Sequence, residues 1–148
     1  MPLLYNGRRL SHPTGKYLYG YHINIAKIKQ TGMAIIFEGE KSVLKMETLL
    51  PNNNVSLATS GKKITFNQIN ALLGMGINEV VLAYDKDYTN EAERKEKIKE
   101  YSKIVSVLKP YFNISIIIDT ENKLKYKDSP IDQGLDIFLE LMRDRMRQ

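Results

Sequence analysis

Two acidic groups stand directly after apolar runs in this sequence. Met33-Ala34-Ile35-Ile36-Phe37 leads into Glu38-Gly39, and Val80-Val81-Leu82-Ala83-Tyr84 leads into Asp85-Lys86-Asp87. If the two runs are neighbouring strands of a parallel sheet, both groups emerge at the carboxyl edge, where the ligand crevice of an open α/β sheet lies. Three carboxylates gathered there repel one another unless a divalent cation neutralises them. There is no cysteine, and the only two histidines are His12 and His22, so metal binding would fall on carboxylates. Carboxylates favour hard ions such as Mg²⁺ or Mn²⁺ over zinc. Each motif also has a plainer reading, Glu-Gly as an exposed turn and Asp-x-Asp as caps for the helix that follows. Their shared position at two strand ends favours a cation site. Glu38 is the sole acid between Met33 and Gly39, and Gly39 permits close backbone approach by a bulky anion.

The elements that must position these acids alternate in type. Apolar runs at Met33 to Phe37, Val55 to Ala58, Glu79 to Tyr84 and Ile114 to Asp119 are each followed by a helical pattern, the signature of a parallel sheet with crossover helices. Ile35, Ile36, Val80, Val81, Ile116, Ile117 and Ile118 are unbroken rather than alternating, as expected of strands covered on both faces. One helix is expected over Lys41 to Leu50, stopped by Pro51. A second is capped by Thr65 and Gln68 in a capping box and ended by Gly74 with positive φ. A third is opened by Asn90 and Glu93 and closed by Pro110. On this third helix Ile98, Tyr101, Val105 and Leu108 form the inward stripe. The charge run Glu91 to Lys103 reads as its solvated face, with Glu91/Lys95 and Glu93/Lys97 four apart in the favourable order. A last helix starts between Ser129 and Asp132, capped by one or the other, and runs to the C-terminus. Tyr17, Tyr19 and Tyr21 alternate, as in a half-buried strand or as stacking platforms for single-stranded bases. His12 and His22 read as structural. The fold class is therefore α/β, a mostly parallel four-stranded sheet flanked by helices.

A chain of 148 residues with 43% hydrophobic content suits one such domain. No apolar run is long enough to cross a membrane and no signal-peptide pattern opens the chain, so a cytoplasmic protein with no membrane partner is expected. The formal charge of +5 favours a polyanionic partner, because lysines and arginines that neutralise phosphates release condensed counterions.

The order Ile36-Phe37-Glu38-Gly39-Glu40-Lys41, Ala83-Tyr84-Asp85-Lys86-Asp87 and Lys127-Asp128-Ser129-Pro130-Ile131-Asp132 resembles the Toprim domain shared by primases, topoisomerases, small nucleases and recombination proteins. Tyr5-Asn6 and Gly15-Lys16-Tyr17-Leu18-Tyr19-Gly20, upstream of the first run, resemble the bacterial-type (DnaG-type) DNA primases, including their phage and mobile-element relatives. The resemblance covers nearly the whole chain. It implies residues 1–20 as the junction to a primase core and 21–148 as a Toprim domain with a Rossmann-like sheet. Two departures stand out: Ser42 replaces an acid that many primases carry, and the third motif has one residue more between its aspartates.

What the resemblance implies about function is Mg²⁺- or Mn²⁺-dependent nucleotidyl transfer in DNA replication. Glu38, Asp85 and Asp87 would be catalytic and metal-binding, with Asp128 and Asp132 as weaker additional ligands. Nucleoside triphosphates and a single-stranded DNA template or RNA/DNA hybrid would be the partners. A replicative helicase would be contacted through regions that this sequence lacks. Lys41, Lys62, Lys63 and Lys86 are candidate phosphate contacts, while Arg8, Arg9 and Lys16 could follow the template backbone. Two alternatives use the same acids differently: a small Toprim nuclease, and a non-catalytic module gripping nucleic acid or a replication partner, which Ser42 favours.

Overall fold

The apolar runs pair side by side because each carries too much buried surface to face water on either side. In a computed structural model the described residues are 17–148, together with the backbone of two short strands, β1 (Leu3–Tyr5) and β2 (Arg8–Leu10), which pair antiparallel. The order continues α1 (Tyr21–Thr31), β3 (Met33–Phe37), α2 (Glu40–Leu49), β4 (Ser56–Ala58), α3 (Phe66–Gly74), β5 (Glu79–Ala83), α4 (Glu91–Leu108), β6 (Asn113–Ile116), α5 (Leu135–Arg143) and β7 (Met146–Arg147). The main sheet runs β4-β3-β5-β6-β7, with the first four strands parallel and β7 antiparallel at the edge. Strand order reverses direction after β4. Right-handed crossovers then send α2 to one face and α3 and α4 to the other, which explains why Ile36, Leu57, Val80, Val81 and Leu82 are all fully buried.

The four parallel strands are those expected from sequence; the differences lie at their margins. β7 occupies residues assigned to the last helix. Gly134, at φ 98, caps α5, so the helix begins at Leu135 and ends at Arg143, and Gln148 N–H then donates to Ile114 O at 2.9 Å. Helix α1 has no clean apolar stripe. It is anchored by one polar side chain, Asn24, whose Nδ2 donates to Ser56 O at 2.8 Å, and by Ile28, which is fully buried. Tyr21 therefore opens a helix, and only Tyr19 of the alternating tyrosines pairs with the sheet, bridging to Ala58. Gly20, at φ 88, lies so close to α2 that a Cβ there would meet Val43 Cγ1 at 3.0 Å.

The capping box forms as the sequence demands: Thr65 Oγ1 accepts from Gln68 N–H at 3.2 Å, and Gln68 Oε1 from Thr65 N–H at 3.0 Å. Gln68 Nε2 also donates to Tyr17 O and Thr59 O at 3.0 Å, tying α3 to the loop after β4. The positive φ expected at Gly74 falls instead on Gly76, at φ 64, because Gly74 remains helical and Met75 N–H still bonds back to Leu72 O and Leu73 O. Asn90 Oδ1 caps α4 by accepting from Glu93 N–H at 2.9 Å. One residue of α4 departs from its expected face. Lys97 is 3% exposed and points inward, since it lies one turn before Tyr101 on the stripe that continues through Val105 and Leu108.

Candidate metal and phosphate site

Strands β3 and β5 are hydrogen-bonded neighbours with Phe37 opposite Ala83. Glu38 and Asp85 therefore leave the sheet side by side. Their carboxyl groups share a hydrogen bond, and they line an open cleft of about 600 Å³ with Gly39, Ser42, Lys45, Ser129 and Asp132. Oε1 of Glu38 is buried with no hydrogen-bond partner.

Asp87 does not join them. Its Oδ2 accepts from Lys62 Nζ and its Oδ1 pairs with Lys97 Nζ, each at 3.1 Å. Among the described residues no three acids or histidines form a ready-made metal cage. The expected trio of Glu38, Asp85 and Asp87 is thus split by two lysines, and the other acids lining the cleft are Asp132 and Glu40, whose Oε1 accepts from Ser60 Oγ at 3.2 Å. Asp132 is tethered by Lys45 Nζ at 2.5 Å, and its Oδ2 accepts from Ser129 N–H at 2.8 Å. Asp128 points elsewhere, accepting from Lys125 N–H at 2.9 Å and Gln133 Nε2 at 2.7 Å. Ser42, where many primases have an acid, donates to Ser129 Oγ at 2.7 Å in a buried pair.

The lysines also sort by place. Lys41 is exposed and lines the cleft. Lys62 and Lys63 are exposed at the mouth of an adjoining groove floored by Tyr84, Tyr101 and Ile104. Lys86 is 6% exposed, and its ammonium spends all three donors inside the protein, on Asp119 Oδ2 (2.8 Å), Asn122 Oδ1 (2.8 Å) and Leu124 O (3.0 Å). It has no N–H left for a phosphate. Sequence reasoning missed Lys45 and Lys127, which both line the cleft. Lys45 was within reach of it, lying one helical turn beyond Lys41. The side chains of Arg8 and Arg9, and all of Lys16 and His12, lie outside the described residues. His22 is exposed, edge-on to Tyr21 at 5.4 Å.

Electrostatically the two halves of the Asp-x-Asp motif are opposites. Burial, then the hydrogen bond and charge of Glu38, then the charge of Asp132, push the Asp85 carboxyl up to about 7, against a smaller opposing pull from Lys97. Burial also works to raise Asp87, but hydrogen bonds from Lys62 and Lys97 outweigh it and hold that carboxyl below its ordinary value. Glu38 and Asp85 are thus a crowded carboxyl pair with an unsatisfied buried oxygen, an arrangement that a cation would relieve. Two carboxylates suit Mg²⁺, which keeps several waters and is commonly held by one or two carboxylates plus substrate phosphates.

A raised carboxyl costs stability where it must ionise. The Asp85 contribution is absent below about pH 4 and grows as pH rises through about 7, so the fold loses stability over that range. Because solvent reaches Asp85, the cost is about 1–2 kcal/mol. Asp85→Asn, which keeps a hydrogen-bond donor toward Glu38, is expected to be more stable than the wild type by that amount at pH 8 in chelator, with the gap closing by pH 4. Urea denaturation at the two pH values checks this, and an equal gap at both contradicts it.

No family model matches the chain. It is 34% identical over 155 aligned positions to the SPbeta prophage-derived uncharacterized protein YorJ of Bacillus subtilis, an alignment covering 99% of this chain and 41% of that protein. Among solved structures it superposes on the Aquifex aeolicus primase (zinc-binding and RNA polymerase domains) with a TM-score of 0.66 at 23% identity, over 95% of this chain and 32% of that one. The DnaG catalytic core matches with a TM-score of 0.66 at 18% identity, over 94% and 44% of the two chains. The RNA polymerase domain of Mycobacterium tuberculosis DnaG, in complex with double-stranded DNA, matches with a TM-score of 0.61 at 16% identity, over 94% and 42%. The chain thus spans less than half the length of each of these proteins. Among the described residues no helix is long and apolar enough to cross a membrane.

Proposed function

We infer that this chain, which has the Toprim-like fold of DnaG-type primase domains, carries out Mg²⁺- or Mn²⁺-dependent phosphoryl chemistry on nucleic acid, of the primase nucleotidyl-transfer kind. The observation that carries this reading is the Glu38–Asp85 pair at adjacent parallel strand ends, with Glu38 Oε1 buried and unpartnered. The bound ion would neutralise a phosphate and align it with the attacking hydroxyl. Glu38 and Asp85 are the groups that would hold it, with Asp132 facing the same cleft. Lys41, Lys45 and Lys127, which line the cleft, bring positive charge to where a triphosphate or a nucleic-acid backbone would lie. Gly39 leaves open space beside the pair, because a Cβ there would meet nothing within 4 Å. Nucleoside triphosphates and single-stranded DNA are the substrates this reading requires.

The test is labelled-ribonucleotide incorporation on single-stranded DNA with Mg²⁺ or Mn²⁺, run beside cleavage of labelled RNA and DNA. Cation-dependent incorporation that disappears in Glu38→Gln is the expected outcome. Cleavage without incorporation would assign the same acids to a nuclease instead. Nucleic-acid binding with neither activity would make the chain a non-catalytic module, a reading to which the neutral Ser42–Ser129 pair lends its only support.

A further inference from the structure

Lys97 is an expensive residue where it sits. Its side chain is 3% exposed, and its ammonium lies 5.6 Å from the centre of the Tyr84 ring and 5.5 Å from that of Tyr101. Its acidic partners are Asp87 at 3.1 Å and the exposed Glu100 at 3.8 Å. A buried ammonium survives only where a counter-charge stays with it. Were Asp87 to turn toward a metal ion, Lys97 would keep two aromatic faces and a distant, solvent-weakened carboxylate. Lys62 holds the other oxygen of Asp87, and the Asp87 side chain is itself only 14% exposed. The acid is therefore pinned from both sides. In the cleft of Glu38 and Asp85, Ser42 Oγ donates to Ser129 Oγ, placing a neutral pair beside the carboxylates.

We propose that this centre takes one divalent cation rather than two, because the Lys97 ammonium is locked onto Asp87 as a fixed positive charge where a second ion would otherwise be recruited. This deepens the function proposed above and rests on it. Lys97 acts through Asp87 as a positioning residue. Its charge is part of the fold, so it does not depend on the concentration of free metal. Asp87 serves as the counter-ion of Lys97, and the cation belongs to Glu38 and Asp85.

Calorimetric titration of Mn²⁺ into the whole chain near pH 7.5 reads the stoichiometry directly, without reference to activity. The wild type is expected to bind one ion per chain, and Asp87→Asn also one. Lys97→Met keeps the length of the buried stem and leaves Asp87 with only the exposed Lys62, which a cation can displace, so it should bind two. The double variant Lys97→Met/Asp87→Asn should return to one. Two ions in the wild type, a single ion in a folded Lys97→Met, a second ion that persists in the double variant, or loss of the only ion in Asp87→Asn would each overturn the proposal. If Lys97→Met does not fold, the wild type and Asp87→Asn still decide it. No ion at all in the wild type would instead bring down the reading of the Glu38–Asp85 pair as a cation site, and this inference with it.

Discussion

Glu38→Gln is expected to abolish the response of this protein to divalent cations. At a concentration about 100 times its dissociation constant, a ligand that binds only the folded state adds about 2.7 kcal/mol. For a domain of this size that raises the melting temperature by roughly 5–10 °C. Glutamine keeps the shape of Glu38 and removes the charge that faces Asp85. The repulsion that raises Asp85 is then relieved, and the buried Oε1 loses the character that would draw a cation. The variant should therefore fold at least as well as the wild type in chelator, yet gain less than about 2 °C from Mg²⁺ or Mn²⁺. Thermal scans in chelator and in saturating metal measure both quantities. An equal metal-induced rise in wild type and variant would mean that any ion binds elsewhere. Asp87→Asn belongs in the same experiment, because its carboxylate is already neutralised by Lys62 and Lys97 and the rise should survive its loss.

The second large effect concerns Lys86, the residue between the two aspartates. Its place in the motif suggests a phosphate ligand, but its geometry is that of a structural post. The Lys86 ammonium reaches Asp119, whose side chain has no solvent exposure, and ties the segment after β6 to the loop after β5. Two backbone bonds reinforce the junction, Lys86 N–H to Asp128 O at 2.7 Å and Lys127 N–H to Lys86 O at 2.6 Å. Lys86→Met leaves the Asp119 carboxylate buried with only the N–H groups of Lys123 and Leu124 to hold it. Removing one partner of a buried pair costs about 3–5 kcal/mol, and the melting temperature should fall by roughly 10 °C.

The loss should depend on pH in a defined direction. In the wild type, burial would raise Asp119, but the bond from Lys86 and those from the Leu124 and Lys123 N–H groups outweigh it and hold the carboxyl below its ordinary value. Its stabilising contribution is present above the unfolded value near pH 4 and is lost as pH falls through the folded one. In the variant that contribution is gone, so the deficit should be largest at neutral pH and shrink in acid. Replacing both partners, as Lys86→Met/Asp119→Leu, should recover part of the loss by removing the stranded charge. A Lys86→Met protein as stable as the wild type would contradict the structural role and return Lys86 to the list of phosphate contacts.

Much of the architecture was legible because it depends on local pattern. Short strands rich in adjacent apolar residues are stable in a sheet covered on both faces, and β3, β4, β5 and β6 fall on the runs that show this pattern. Thr65 with Gln68, and Asn90 with Glu93, start helices where short polar side chains can satisfy free N–H groups, and both caps form. Helix α1 was not legible in this way, since its anchor is the polar Asn24, whose side-chain amide donates to Ser56 O, 32 positions away. The final helix was drawn too long because the left-handed Gly134 and the strand pairing of Met146 with Ile116 come from contacts beyond its own pattern.

The sequence by itself determined that Glu38 and the Asp85/Asp87 pair would emerge at one edge of a parallel sheet, because strand polarity and an acid immediately after an apolar run are local facts. It could not determine where each carboxylate points beyond the strand. That was decided by long-range neighbours: burial beside Glu38 and Asp132 raises the Asp85 carboxyl, while Lys62 and Lys97 capture Asp87. In the sequence Lys86 reads as a phosphate contact and Lys97 as part of a solvated helix face. Only the tertiary structure buries them, because an ammonium can leave water only where the fold brings a carboxylate to meet it.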